Sequence, residues 1–185
     1  MSLLVGITGG MGSGKTLAAS IFHELGAHIL DADVICRKLV EPGQPALKEI
    51  SECFGKSIID EFGNLDRKKL AQLIFYDPKK KNDLENILHP RVFEFENLEY
   101  KNISQKHPKA LVMIDAALLI ESGNYKKMDK VIVVKADKKI QIERVLTRSG
   151  WDRDEVVARI NDQMPITEKI KYADYVLDNS LDKVA

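Results

Sequence analysis

The chain has 185 residues, and its 28 Lys plus Arg balance 28 Asp plus Glu, so the net formal charge is zero. Hydrophobic residues make up 44% and charged residues 30%, which excludes a disordered chain and predicts a single domain with a buried core. A neutral chain gives no reason to expect nucleic acid or an anionic membrane as a partner. The sequence has two cysteines and no apolar run of the ~20 residues that span a bilayer, so we expect a cytoplasmic protein.

Five short apolar runs predict β-strands that are covered on both faces, because the runs are continuous rather than alternating. Helical patterns separate the runs, and a strand, helix, strand order implies parallel pairing with right-handed crossovers. The sequence therefore predicts an α/β fold with a doubly wound, parallel, five-stranded sheet. The runs lie at residues 3–7, 27–30, 111–114, 130–134 and 175–177.

Three predicted helices have recognisable ends. A helix at residues 16–25 ends at Gly26, a residue type that readily adopts the left-handed conformation after a helix. Asp66 and Asp137 precede helices at 67–75 and from 138 to about 148. We expect both to be N-caps, because an Asp carboxylate can accept hydrogen bonds from the free N–H groups of a first turn.

The sequence predicts that the single domain, residues 1–185, has three parts. The core comprises about residues 1–60, 108–140 and 164–185. Residues 61–107 contain helical patterns and no convincing strand, so we expect a helical insertion that binds an acceptor substrate. Residues 141–163 are polar and rich in arginine, with a break at Gly150 and Trp151, which favours a hinged lid.

The strongest motif is GGMGSGKT at residues 9–16, which fits the phosphate-loop pattern G-x-x-x-x-G-K-[ST] between a predicted strand and a predicted helix. Glycines let such a loop point successive N–H groups inward, and the helix N-terminus adds partial positive charge. Lys15 would reach the β- and γ-phosphates of ATP, and the Thr16 hydroxyl would ligate Mg²⁺. The alternative is a glycine-rich turn without a ligand. The predicted nucleotide contacts of the loop are Gly9, Gly10, Met11, Gly12, Ser13, Gly14, Lys15, Thr16 and Leu17.

The loop predicts a nucleoside triphosphate site but leaves the reaction open. A GTPase needs a guanine-reading element such as Asn-Lys-x-Asp, which the sequence lacks, and the D-x-x-G match at residues 60–63 is interpreted as a turn. A motor or transporter ATPase is normally longer. A small kinase is favoured, with a nucleoside, nucleotide, sugar or other metabolite as acceptor. A GTPase-like switch and a nucleotide-binding regulator without turnover remain as alternatives.

Aspartates follow two predicted strands, at the sheet edge that also carries the phosphate loop. Asp31 and Asp33 are two residues apart, so on an extended chain both would face the cleft. Asp33 lies farther from the strand and is the predicted general base, while Asp31 would orient substrate or magnesium-bound water. The alternative for either carboxylate is a helix cap. Asp115 ends the third strand and could bind Mg²⁺.

Arginines in the predicted lid could supply positive charge to a triphosphate. Arg144 and Arg148 lie one helical turn apart on the same face, and Arg153 and Arg159 follow after the break. We expect the first two to contact the nucleotide and to stabilise transition-state charge. The alternative is a solvated helix face.

In combination, these motifs closely resemble those of the dephospho-coenzyme A kinase family. The resemblance covers nearly the whole chain and keeps the family's order of motifs. Its other elements are Leu88-His89-Pro90, Ala117-Leu118-Leu119 with Glu121, Gln163, Ala173-Asp174 and Asp178-Asn179.

The resemblance implies an enzyme that transfers the γ-phosphoryl group of ATP to the ribose 3′-hydroxyl of dephospho-coenzyme A, the last step of coenzyme A biosynthesis. It implies Asp33 as the catalytic base and Arg148 as a lid arginine. It also implies that Arg37 and the His89 region lie near the acceptor, with a packing role as the alternative for His89. The family usually has proline at the position of Ala117, so we expect a looser turn there.

Overall fold

A computed structural model describes residues 1–75 and 77–181 of the chain. Within these residues, five strands form an all-parallel sheet in the order β2-β3-β1-β4-β5, which confirms the predicted doubly wound α/β fold. Every predicted apolar run lies in a strand or overlaps one. The strands are β1 (Leu3–Gly9), β2 (His28–Asp31), β3 (Leu111–Asp115), β4 (Lys130–Lys135) and β5 (Tyr175–Asp178).

Helices connect the strands and carry most of the charged residues. The longest has 29 residues and contains Pro90. Among the helices of the described residues, none is long and apolar enough to cross a bilayer. The α-helices are α1 (Lys15–Glu24), α2 (Ala32–Leu39), α3 (Pro45–Phe54), α4 (Arg67–Phe75), α5 (Pro78–Lys106), α6 (Lys138–Ser149), α7 (Arg153–Asn161) and α8 (Ile166–Ile170), and two 3₁₀ helices span Lys56–Ile58 and Asn124–Lys127.

The predicted helix ends have different physical origins. Asp66 caps α4 as expected, because its carboxylate accepts a hydrogen bond from the N–H of Lys69 at 3.0 Å. Asp137 occupies the N-cap position of α6, but its side chain accepts no capping hydrogen bond within the described part of the chain. Its backbone N–H instead donates to the Ser180 hydroxyl at 3.1 Å. Gly26 follows α1 with φ of +95°, the left-handed conformation that the sequence predicted.

The central strands form the core, but the edge strand does not. Ile7, Met113 and Val133, one from each of the three inner strands, have no exposed surface. The prediction that β5 is covered on both faces is wrong: all four of its residues are exposed, and Tyr175 retains 57% of its accessible surface. In the described chain β5 pairs only with β4, so an apolar run by itself did not reveal its edge position.

The chain divides into two compact units. The sheet unit comprises Met1–Asp31 and Tyr100–Ala185, and the helical unit comprises Ala32–Glu99. The sequence placed the insertion at about residues 61–107, whereas the helical unit also contains α2 and α3. The predicted final core segment, 164–185, extends past the last described residue. Inside the helical unit, α2 to α5 enclose a core that includes Ile50 and Ile58, both without exposed surface.

Candidate active site

The GGMGSGKT segment forms a tight loop between β1 and α1, and α1 begins at Lys15. The Ser13 N–H donates to the Gly10 carbonyl at 3.0 Å, which closes a turn inside the loop. Gly12 and Gly14 have φ of +76° and +88°, and Gly14 is the N-cap of α1. Residues with a Cβ adopt this left-handed conformation at an energetic cost, so the loop requires glycine at both positions.

Close packing gives a second reason for the glycines. A Cβ on Gly12 would lie 2.5 Å from the Gln141 carbonyl oxygen, and a Cβ on Gly14 would overlap the Asn179 carboxamide. A Cβ on Gly10 would lie 3.3 Å from Gln141 Nε2. The loop is therefore held between the start of α6 and the residue that follows β5.

The Ser13 hydroxyl lies inside the loop and has 1% residue exposure. Among the described residues no hydrogen-bond partner reaches its Oγ. A buried donor without an acceptor is costly, and a phosphate oxygen is an acceptor of the type it lacks. The loop therefore fits a phosphate group by its backbone geometry and by this hydroxyl.

Lys15 and Asp115 meet at the carboxyl edge of the sheet. The Lys15 ammonium forms a hydrogen-bonded ion pair with the Asp115 carboxylate, and their side chains are 15% and 4% exposed. Asp115 ends β3 and pairs in register with Ile7 of β1 and with Asp31 of β2. The parallel register thus sets two carboxylates side by side at the edge where the phosphate loop begins.

Thr16 is the second residue of α1 and is exposed, and Leu17 follows it half-buried. No group of three or more His, Cys, Asp or Glu side chains in residues 1–75 and 77–181 could enclose a metal ion. Thr16 and Asp115 supply the oxygen ligands that Mg²⁺ prefers, but they do not form a complete cage.

The two aspartates of the Asp31-Ala32-Asp33 segment differ in their secondary structure. Asp31 is the last residue of β2, whereas α2 begins at Ala32 and has Asp33 in its first turn. The expectation that both residues lie on an extended chain is therefore wrong, because the helix starts between them. That both carboxylates face the cleft stays a prediction. Asp33 is exposed, and Arg37 lies exposed one turn later on the same helix.

His89 belongs to the helical unit and is half-buried in α5. Its ring stacks on Phe93, with 5.7 Å between centroids and 20° between ring planes. This contact supports the packing alternative but leaves a ligand contact open. Both interpretations of His89 stay predictions.

The arginines of the predicted lid have distinct surroundings. Arg144 is half-buried in α6, and its Nη1 donates to the Asn179 carbonyl at 3.0 Å. Arg148, one turn later, is exposed. Arg159 of α7 forms an ion pair with Glu155 at 2.9 Å and lies 4.1 Å from the centre of the Trp151 ring. Arg159 therefore contributes to the internal structure of the α6–α7 segment.

Asn179 is a site residue to which the sequence assigned no role. Its Nδ2 donates to the Ser13 carbonyl at 2.9 Å, which joins the segment after β5 to the phosphate loop. Asp178 fixes this segment: its carboxylate accepts hydrogen bonds from Lys135 Nζ at 2.6 Å and from the Ser180 hydroxyl at 2.6 Å. These bonds, the one from Lys135 first, lower the pKa of Asp178 to about 2. The available sequence signals were a polar residue at the carboxyl end of a strand and the place of Asp178-Asn179 in the family resemblance.

A parallel sheet in this order, with a phosphate loop between β1 and α1 and an aspartate at the end of β3, defines a P-loop nucleotide-binding fold of the type found in P-loop kinases. The family model described as dephospho-CoA kinase matches residues 3–184. The dephospho-CoA kinase of Aquifex aeolicus is 44% identical over 176 residues, which cover 95% of this chain and 88% of that protein. This chain belongs to the dephospho-CoA kinase family.

Solved structures agree with this assignment. A crystal structure of a Thermus thermophilus protein has a TM-score of 0.83 and 34% identity, covering 98% of this chain and 90% of that one. The dephospho-CoA kinase of Campylobacter jejuni has a TM-score of 0.69 and 29% identity, covering 99% and 90%. The chain is thus a phosphotransferase for ATP-dependent phosphorylation of dephospho-CoA in coenzyme A biosynthesis. Neither another metabolite kinase nor a GTPase-like switch is favoured.

Proposed function

We propose that the chain transfers the γ-phosphoryl group of ATP to the ribose 3′-hydroxyl of dephospho-CoA, with the loop from Gly9 to Thr16 as the triphosphate site. Membership of the family supports the acceptor, and the observation that carries the ATP side of this proposal is the geometry of that loop. It has left-handed glycines, a buried Ser13 hydroxyl without an acceptor among the described residues, and Lys15 at the start of a helix. Each of these features favours a bound anion with several oxygen atoms.

Lys15 and the lid arginines would share the charge of the triphosphate. The ammonium of Lys15 is held at the carboxyl edge by Asp115 and would bind the β- and γ-phosphates. The exposed guanidinium of Arg148 would stabilise charge that develops on the transferred group. Arg144, which is bonded to Asn179, would hold the nucleotide beside the phosphate loop.

Mg²⁺ fits the oxygen donors of Thr16 and Asp115. When bound, the ion supplies charge neutralisation for the phosphate oxygens. Mg²⁺ is usually held by one or two protein oxygens together with substrate phosphates, so we expect it to arrive with ATP.

Asp33 would act as the general base. Its exposed carboxylate accepts the proton of the attacking hydroxyl while that oxygen forms a bond to the γ-phosphorus. The bond from the γ-phosphorus to the bridging oxygen breaks, and ADP leaves with the electron pair. Asp31 would orient the acceptor or metal-bound water. Arg37, one turn from Asp33, and His89 are proposed to lie near the acceptor.

The proposal is tested by incubating the protein with ATP, Mg²⁺ and one acceptor at a time, followed by mass spectrometry and phosphorus NMR. Dephospho-CoA should gain one phosphoryl group at the 3′-position, while shikimate, gluconate and nucleosides should react much more slowly. If dephospho-CoA is inert and another metabolite is phosphorylated, the acceptor assignment fails while the P-loop kinase class stands.

The base is tested with Asp33→Asn, which keeps the shape of the side chain but cannot take the proton. General base assistance contributes roughly 10²- to 10⁴-fold, and the loose transition state of phosphoryl transfer favours the lower end. We expect kcat to fall at least about tenfold with nearly unchanged ATP affinity, and Asp31→Asn to have a smaller effect. A collapse of ATP binding in Asp33→Asn would instead indicate a nucleotide or metal role. If kcat falls further in Asp31→Asn than in Asp33→Asn, Asp31 rather than Asp33 is the general base.

We also propose the cytoplasm as the location, where ATP is supplied. The proposed partners are the two small-molecule substrates.

A further inference from the structure

The amino-terminal half of the phosphate loop is attached to the lid by two contacts at Met11. The Met11 N–H donates to Gln163 Oε1 at 2.8 Å. The Met11 side chain packs against a cluster formed by Ile142, Val145 and Val156 of α6 and α7. One residue of the loop is thus fixed through its backbone and through its side chain.

The segment that carries Gln163 is itself anchored through a buried ion pair. The N–H of Met164 donates to Glu121 Oε1 at 3.3 Å, and the same carboxylate lies 2.9 Å from Lys169 Nζ. The Lys169 side chain has no exposed surface, and its ammonium also donates to the Ala117 carbonyl at 2.7 Å. That carbonyl accepts a second hydrogen bond from the Thr8 hydroxyl at 3.1 Å.

These bonds form a chain that leaves β1 at Thr8 and returns to the phosphate loop at Met11. The same bonds also hold the turn at Ala117, where we expected a looser backbone because the residue is not proline. The Ala117 carbonyl accepts two hydrogen bonds, and these restrict the turn although no proline ring fixes its φ.

A cavity lies next to the phosphate loop, and it is the reason why the hydrogen bond from Met11 to Gln163 matters for the orientation of the loop. Gly10 and Gln163 line a cavity of about 430 Å³, together with Lys138 and Gln141. The Gly10–Met11 peptide borders this open volume on the Gly10 side, while the Met11 side chain is packed. A peptide group beside open volume can rotate unless a directional bond fixes it, and the hydrogen bond from Met11 to Gln163 provides that direction.

We propose that Gln163 is a positioning residue for phosphoryl transfer. Its carboxamide orients the Met11 peptide, so that the N–H groups which follow in the loop, other than that of Ser13 in its turn with Gly10, are already directed at the triphosphate when ATP binds. The Glu121–Lys169 pair holds the segment from which Gln163 reaches the loop. N–H donors that already have the bound orientation bind a ligand more tightly than mobile donors, because the loop loses less conformational entropy when the ligand binds. This inference rests on the proposed use of the loop for ATP.

The test compares Gln163→Met, which keeps the length of the side chain but removes its acceptor, with Gln105→Met on the exposed end of α5 as the matched control. A hydrogen bond contributes about 0.5–1.5 kcal/mol net, which corresponds to a roughly two- to twelvefold loss in ATP affinity and in kcat/KM for ATP. The KM for dephospho-CoA should stay constant. The Met11 amide proton should move upfield in a ¹H–¹⁵N spectrum.

Several outcomes would overturn the proposal. They are an unmoved Met11 amide, a moved amide with unchanged ATP affinity, and an equal loss for both substrates with a lower melting temperature. Gln163→Glu retains an acceptor oxygen and should return the Met11 amide towards its original position. If Gln163→Met does not fold, Gln163→Asn replaces it in the same measurements. Asparagine is one methylene shorter, so its carbonyl oxygen lies too far from the Met11 N–H to accept the hydrogen bond. Calorimetric ATP binding tests the inference separately from turnover, so inactivity of the unmodified protein on dephospho-CoA would count only against the proposed function.

Discussion

Replacing Glu121 by glutamine should destabilise the protein by leaving a charge in its interior. The Lys169 side chain is 0% exposed and lies 2.9 Å from the Glu121 carboxylate, which is 23% exposed. Removing one partner of a buried ion pair costs roughly 3–5 kcal/mol, because the remaining charge loses its counter-charge without regaining water. Glutamine still offers an oxygen to the ammonium, so we expect a loss of about 2–3 kcal/mol.

Lys169→Met should be the milder change. Methionine has a similar length, and the neighbouring Met164, Ile166 and Ile170 form an apolar environment for it. The variant removes the buried charge together with its need for a partner, while Glu121 keeps its access to water. We expect a loss below about 1.5 kcal/mol.

Urea unfolding followed by circular dichroism measures both changes, provided that the slope m stays constant. Glu168→Gln is the matched control, because Glu168 pairs with Lys171 at 2.7 Å on the surface, where both side chains are about half exposed. Its loss should be at most about 1 kcal/mol. If Lys169→Met costs as much as Glu121→Gln, the reasoning from buried charge is refuted and the pair makes a net contribution to stability.

Three further outcomes test the site. Lys15→Met should lower turnover at least about a hundredfold, measured by ADP release, because its charge is proposed to act on phosphate. The variant also leaves the buried Asp115 without its counter-charge, so circular dichroism and urea unfolding must show that it is folded under the assay conditions. Gly14→Ala should weaken ATP binding and lower the melting temperature in calorimetry, since its φ is +88° and the added methyl overlaps Asn179. Asp178 should titrate near pH 2 by carbon NMR, because its pKa is about 2 through the bond from Lys135. Its contribution to stability is therefore present above about pH 4 and is lost as the pH falls towards 2, and Lys135→Met should move the titration upward.

The sequence determined those features that depend on neighbouring residues. Continuous apolar runs located the strands, because strands inside a parallel sheet need apolar side chains on both faces. The G-x-x-x-x-G-K-T spacing located the phosphate loop, because left-handed turns and a helix N-terminus are local requirements. Asp66 identified the start of α4 for the same reason, since an N-cap bonds within its own first turn.

Local patterns failed where a residue's surroundings come from elsewhere in the chain. The apolar residues of β5 suggested burial, but exposure depends on which elements cover a strand. The spacing of Asp31 and Asp33 suggested an extended chain, but α2 begins between them. In both cases the prediction assumed that the local sequence sets the burial and the backbone direction of a segment, whereas the rest of the fold sets them.

Only the tertiary structure decided which residues support the phosphate loop. Met11 and Gln163 are 152 positions apart, and Ser13 and Asn179 are 166 apart. Gln163 and Asn179 stood in the sequence only as positions of the family resemblance without a role, and Lys169 is of a residue type common on protein surfaces, so none of the three indicated these contacts. Their roles follow from the parallel order of the strands, because that order brings the segments after β1, β3, β4 and β5 to one edge of the sheet.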